Sequence, residues 1–242
     1  MSTVYATAAG DLDDGFASGS GDPGDTTYAS TRDDTTALSV SQNGAYSFVT
    51  YARGAAFFGN RPYTYRSWFN FDLTGESGTA TSANLKISSL TDLSGFVNCT
   101  VDTDEEIYIC KLNAGSAFDT GDFDGIVGWQ SSGTYDGSVT QYATAVTQAV
   151  STQYTIALNA TAITDINSLI GTETPNFQIA LLTSNDFLFA DFTQPSFGFQ
   201  SHIGLRFHTM ETSSADSYKP QIEITYGVAA VADSATFFGS NF

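Results

Sequence analysis

The sequence predicts an all-β protein, a sandwich or barrel of antiparallel strands, and three observations carry that expectation. Ser and Thr together supply 59 of the 242 residues and Gly another 22, and all three are poor helix formers. Short apolar segments of strand length recur from Leu38 onward, separated by turn-forming residues. Nothing repeats at a period of 20–50 residues, which argues against solenoids and propellers.

The elements follow in chain order. Residues 1–27 read as a lead-in, most of it rich in Gly and Asp, and the Gly/Asp/Ser/Thr-rich stretch continues to residue 36 as loop around short edge strands. The clearest strand is Arg66–Leu73. Its alternation places Ser67, Phe69, Phe71 and Leu73 toward the core, and Arg66, Trp68, Asn70 and Asp72 on the outer face of a sheet. Further strands are expected at Ala83–Ser88, Glu106–Leu112, Tyr154–Leu158, Phe177–Leu182, Ile203–His208 and Gln221–Tyr226. A short helix is expected over Ala162–Ile170, capped from Asn159–Thr161 and ended by Gly171. Val139, Tyr142, Ala143, Val146, Ala149 and Val150 also follow helical spacing, in a stretch whose Thr and β-branched residues oppose a helix.

Charge and composition narrow the function. Twenty-six acidic against eight basic side chains give a formal net charge of −18, which repels nucleic-acid phosphates and anionic lipid alike. Charged residues are only 14% of the chain, so the surface is largely hydroxyl and carboxylate, as suits an exposed or extracellular β protein. No apolar run approaches membrane-spanning length. The opening MSTVYATAAGDLDD has neither a basic region nor an apolar run, so no secretion signal is expected in the chain as it stands; a cleaved one replaced by Met is the alternative.

No catalytic motif stands out. There is no nucleophile elbow, no zinc-protease helix and no phosphate loop, and no carboxylate pair is singled out from the many. The expectation is a protein that binds without catalysing. His202 and His208 would lie about 20 Å apart along one strand, too far to share a metal. No cofactor is expected, but two acidic loops are candidates for a structural Ca²⁺: Asp102, Asp104, Glu105 and Glu106, and then Asp119, Asp122 and Asp124. Solvated acidic turns are the alternative. Cys99 and Cys110 meet if Phe96–Cys99 and Ile107–Cys110 pair as a hairpin; otherwise they are free buried thiols. Arg32, Arg66 and Arg206 read as stacked on aromatics or paired with carboxylates, with an anion clamp as the alternative. Trp68, Trp129 and Tyr135 are the candidate platforms for a sugar, whose apolar ring face stacks on an aromatic one.

Five segments in order resemble the DNRLRE-type domain family. They are Tyr28–Arg32, Arg66–Leu73, Thr81–Ile87, Tyr154–Asn159 with the following helix, and the closing run Ser213–Tyr226 with its Lys219-Pro220. The resemblance spans about 28–226 and implies a jelly-roll β-sandwich related to carbohydrate-binding modules. It also implies a place on bacteriophage structural proteins or on secreted bacterial polysaccharide-handling proteins. The longer, more aromatic 177–210 and the tail 227–242 depart from that pattern. The expected function is therefore a non-enzymatic protein on the virion surface, as capsid decoration, fibre or tail component, touching host surface polysaccharide. A secreted, extracellular carbohydrate-binding module is the alternative. Expected partners are other virion subunits, copies of the same chain included, through Phe237, Phe238 and Phe242 of the apolar tail.

Overall fold

A computed structural model describes residues 1–7, 15–20, 31–33, 35–37, 39–42, 46–53, 62–90, 99–100, 105–115, 117–130, 137–188 and 201–227. The strands are β1 (Ser2–Tyr5), β2 (Gly15–Ser20), β3 (Ser39–Gln42), β4 (Tyr46–Arg53), β5 (Pro62–Asp72), β6 (Ala80–Ser88), β7 (Cys99–Thr100), β8 (Glu106–Lys111), β9 (Val146–Thr147), β10 (Gln153–Ala157), β11 (Asn176–Thr183), β12 (Ser201–His208) and β13 (Gln221–Tyr226). Among the short helices that join them are α1 (Ala160–Leu169) and α2 (Ser184–Phe187).

The strands form two sheets. The smaller has the order β1-β13-β6-β10, and the larger runs β7-β12-β4-β5-β11-β8-β9, with β2 paired to β3 and β5. Apart from β12 with β7, the paired strands are antiparallel. The chain crosses repeatedly between sheets, from β5 to β6, from β10 to β11 and from β12 to β13. The fold is an all-β sandwich, and each of the seven strands expected from alternation is present.

Between the sheets lies the main core. It takes Phe69 and Phe71 from β5 and Leu73 just after it, Leu85 and Ile87 from β6, Ile107 and Ile109 from β8, and Ile222 and Ile224 from β13. These are the period-two positions, so the inward face follows from sequence directly.

The outward face of β5 does not behave as expected. Arg66, Trp68 and Asn70 are buried at 2%, 1% and 1% exposure, and of the four expected outward residues only Asp72 reaches solvent. A third layer covers Arg66 and Trp68, while Asn70 donates to Thr7 and Asn176. Phe118, Phe123 and Ile126 from the connection after β8, together with Phe187 of α2, pack with Trp68, Cys110, Leu112 and Leu182 into a second cluster. Trp68 stacks on Phe118, with centroids 4.8 Å apart. β11, buried from Phe177 to Thr183, reads as a continuous apolar run because both its faces are covered.

The lead-in is not separate from the sandwich. β1 pairs with β13 in the small sheet, and β2 pairs with both β3 and β5 in the large one. The sandwich thus draws on residues 2–5 and 15–20. The sequence of β2, GFASGS, carries no alternation because its residues are mostly small.

Residues 139–150 form no helix. Tyr142 and Gln148 donate their backbone N–H groups to the carbonyls of Ile109 and Glu105, so the segment follows β8 and ends in β9. α1 begins at Ala160, two residues before the expected start, with Asn159 Oδ1 accepting from Ala162 N at 3.1 Å. At Gly128, φ is +84° and a Cβ would stand 2.1 Å from the Ser138 carbonyl oxygen, so only glycine fits this crossing. Gly227 donates to the Thr79 carbonyl; the rest of the tail, with Phe237, Phe238 and Phe242, lies outside the described residues.

Candidate functional site

A polar cleft opens where α1 meets the end of the large sheet. Its volume is about 430 Å³, within the range of small-molecule sites. Lys111 comes from the end of β8, Asn113 from the turn after it, Tyr142 from the segment beside β8, Asp165 from α1, and Asn176 from the start of β11.

Each side chain is set by its element. In α1, Ala162 and Ile166 are buried in the main core, so Asp165 and Leu169, four apart, share the neighbouring face and line the cleft. The helix start is tied to the sheet edge, because Asn159 donates Nδ2 to the Gln141 carbonyl at 2.8 Å and its own N–H to that of Tyr142 at 2.7 Å. Tyr142 stacks on Phe177, with centroids 4.9 Å apart. Gln178 accepts from Ala114 N at 2.9 Å and donates to the Gly115 carbonyl at 3.1 Å, which holds the turn bearing Asn113.

The centre is Asp165. Its Oδ2 accepts from Lys111 Nζ at 2.9 Å and from the Tyr142 hydroxyl at 2.8 Å. Burial, and then the bond to Asp165 and its negative charge, push the Tyr142 phenol far above its ordinary value of 10.0. Tyr142 is therefore a fixed proton donor at physiological pH and is neither base nor nucleophile. Asn176 Oδ1 accepts from Asn70 Nδ2 at 3.1 Å, so its amide nitrogen remains for a ligand. Asp165 Oδ1, the spare N–H groups of Lys111 and the Asn113 amide complete a set of mixed donors and acceptors with little net charge. Asp165 is the one carboxylate among the described residues lining the cleft.

The expected platforms fare differently. Trp68 is a core residue of the third layer, and its ring is out of reach of a glycan. The half-buried Trp129 has one face taken by the Arg66 guanidinium, whose carbon stands 4.1 Å from the ring centroid. Tyr135 lies outside the described residues.

Arg66 is a paired and stacked arginine, the expected reading over an anion clamp. Its Nε and Nη2 donate to the two oxygens of Asp186 at 2.7 and 2.8 Å, Nη1 donates to the Phe123 carbonyl at 2.5 Å, and Nη2 also reaches the Arg32 carbonyl at 3.1 Å. The guanidinium lies between the rings of Phe123 and Trp129. Arg32 pairs with Asp33 at 2.8 Å, and Arg206 is buried on β12.

His202 and His208 fall on one strand, β12, six residues apart. Among the described residues no group of three or more His, Cys, Asp or Glu side chains converges in a metal-binding arrangement. In the second acidic loop, Asp119 Oδ1 accepts from Gly121 N and Asp122 Oδ2 from Asp119 N, a reciprocal cap on the 3-10 turn Thr120–Asp122. Of the first loop, Glu105 and Glu106 are described while Asp102 and Asp104 lie outside the described residues. Cys110 is a free, buried thiol. The hairpin that would join it to Cys99 does not form. Cys99 sits on β7 at one edge of the large sheet, five strand spacings or about 24 Å from β8. Among the described residues no helix is long and apolar enough to cross a membrane.

Comparison with protein-family models and with curated proteins finds no match to this chain.

Lys111 and Asp165 were not singled out from sequence. One signal was there: the chain has three Lys residues among 26 acids, and each Lys is held in an ion pair here.

Proposed function

We propose that this protein is a non-enzymatic β-sandwich module that binds a neutral saccharide in the cleft beneath α1, displayed on the surface of a bacteriophage particle. The observation that supports the reading best is the character of the cleft. Lys111 and Asp165 neutralise one another, and the groups left over are amide, ammonium and carboxylate positions that suit neighbouring hydroxyls. An anionic ligand would meet a protein of net charge −18. Glycoside hydrolysis takes two carboxylates flanking the bond, and the described lining of the cleft offers one, already engaged by two donors. Binding without turnover is the chemistry that this set supports.

The test is a titration of host surface polysaccharides followed by amide chemical-shift changes. The expected result is shifts at Asn113, Asn176 and Asp165, reduced in Asn113→Ala, with no release of reducing ends. An absence of shifts across neutral polysaccharides defeats the saccharide reading. Mass spectrometry of purified particles tests the virion setting; presence in a culture supernatant without particles would favour the secreted module instead.

A further inference from the structure

The cleft beneath α1 is not polar throughout. Lys111 shares the parity of Ile107 and Ile109, so it stands on the inward face of β8, just beyond the main core. Tyr142 and Phe177, both members of that core, close the floor at 2% and 1% exposure. Val127 and Leu169 also line the cleft, and these two branched apolar side chains are only half-buried.

Each partner of the Lys111–Asp165 ion pair has one of them as a neighbour. Leu112 bridges Ile126 in the antiparallel sense, Val127 N donates to the Lys111 carbonyl at 2.9 Å, and Asn113 N donates to the Gly125 carbonyl at 2.9 Å. Val127 is therefore opposite Lys111, and Lys111, Asn113 and Val127 share one face. On α1, Leu169 follows Asp165 by one turn on the same side. The cleft thus sets the free acceptor Asp165 Oδ1 close to two apolar side chains, with the Asn113 amide roughly 7 Å along the strand from Lys111.

We propose that the sugar taken by this cleft is an N-acetylated amino sugar, held by its acetamido group, an inference that rests on the saccharide reading of the cleft. An acetamido group carries three features at fixed places. It has an N–H donor, a carbonyl pointing the opposite way across the trans amide, and a methyl on the N–H side. With the N–H donated to Asp165 Oδ1, the carbonyl is directed toward the Asn113 amide, and the methyl falls beside Asp165, between Leu169 and Val127. A plain hydroxyl satisfies Asp165 but brings no methyl to cover the two side chains. The difference of one such group in an apolar pocket is worth about tenfold or more in discrimination. The acetamido group is also uncharged, so it meets the net charge of −18 without the repulsion that a uronic acid would suffer.

The experiment titrates the full chain with the methyl glycosides of N-acetylglucosamine, N-acetylgalactosamine, glucose, galactose and N-formylglucosamine, followed by chemical shift. One or both of the acetylated sugars should bind about tenfold or more tighter than the parent hexose. N-formylglucosamine keeps the amide without the methyl and should fall between N-acetylglucosamine and glucose. A nuclear Overhauser contact should join the acetyl methyl to the methyls of Val127 and Leu169, a readout that needs no variant. Val127→Thr keeps nearly the same volume and should narrow the acetylated-to-plain ratio by about threefold or more. Equal affinity for acetylated and plain hexoses, with shifts at Asn113, Asn176 and Asp165, overturns the acetamido inference and leaves the saccharide reading standing. A preference for acetylated sugars that lacks the methyl contact, or that is indifferent to Val127→Thr, overturns it as well. Failure of all of these sugars, and of oligomers of N-acetylglucosamine and of glucose, to bind at millimolar concentration overturns both.

Discussion

Asp186→Asn removes the charge that faces Arg66 while keeping the side chain's shape. Both partners are nearly inaccessible, at 2% and 1% side-chain exposure, so the guanidinium would be left charged and out of water. Breaking one partner of a buried pair costs about 3–5 kcal/mol. Arg66 keeps its bonds to the Phe123 and Arg32 carbonyls and its two ring contacts, which places the expected loss near the lower end, about 3 kcal/mol. For a chain of this size each kcal/mol moves the melting temperature by roughly 2–4 °C, so a fall of about 6–12 °C is expected. The double variant Arg66→Met, Asp186→Leu should recover part of this, because an apolar pair needs no compensation. Recovery is incomplete, since the two carbonyls lose their donor at about 1–3 kcal/mol each if left unpaired. Urea unfolding of the wild type, Arg66→Met, Asp186→Leu and the double variant closes the cycle. A loss below about 1 kcal/mol for Asp186→Asn would place the pair with solvent-exposed ones and refute the buried-latch reasoning.

Three other outcomes are expected. Burial and the nearby Asp186 charge push the Cys110 thiol far above its ordinary 9.0, so it should resist thiol reagents in the native state and react in Asp186→Asn at a rate set by opening of the outer layer; rapid labelling of the native wild type would contradict its placement. Burial, and then Arg206, lower the folded-state value of His208 below 6.5; the unfolded chain takes up the proton first, so stability holds above that pH and falls as pH drops below it, a slope that His208→Gln should reduce in urea melts. Truncation after Gly227 should leave a soluble, folded domain, because β13 is already paired on both sides; unchanged self-association and particle attachment would defeat tail docking, and unfolding would show the tail to be part of the core.

Alternation made the inter-sheet core legible. Phe69, Phe71 and Leu73 follow period two, and so do Ile107 with Ile109 and Ile222 with Ile224. Parity also separated Trp68 from Phe69 correctly, yet said nothing of what lay over Trp68. That cover comes from residues 113–130 and α2, whose few apolar residues are scattered among Gly and Asp and carry no period. β2 was hidden for the opposite reason, since small residues leave no hydrophobic pattern to read. The cleft could not be seen at all, because its polar residues come from β8, the turn after it, the segment beside it, α1 and β11, and only the crossing of the chain between sheets brings them together.

The order β1-β13-β6-β10 also dictates a sequence of events in time. The first of the described strands has the last of them as its hydrogen-bonding neighbour, with Ser2 opposite Ile224. During synthesis β1 leaves the ribosome with no partner and must wait for more than two hundred residues to follow it. Until β13 slots between β1 and β6, the small sheet has only β6 and β10 joined, and its core face is open. The final closure joins ends far apart along the chain, so its entropy cost comes late and its rate should be slow. A nascent chain stalled before Gln221 would expose that half-built face.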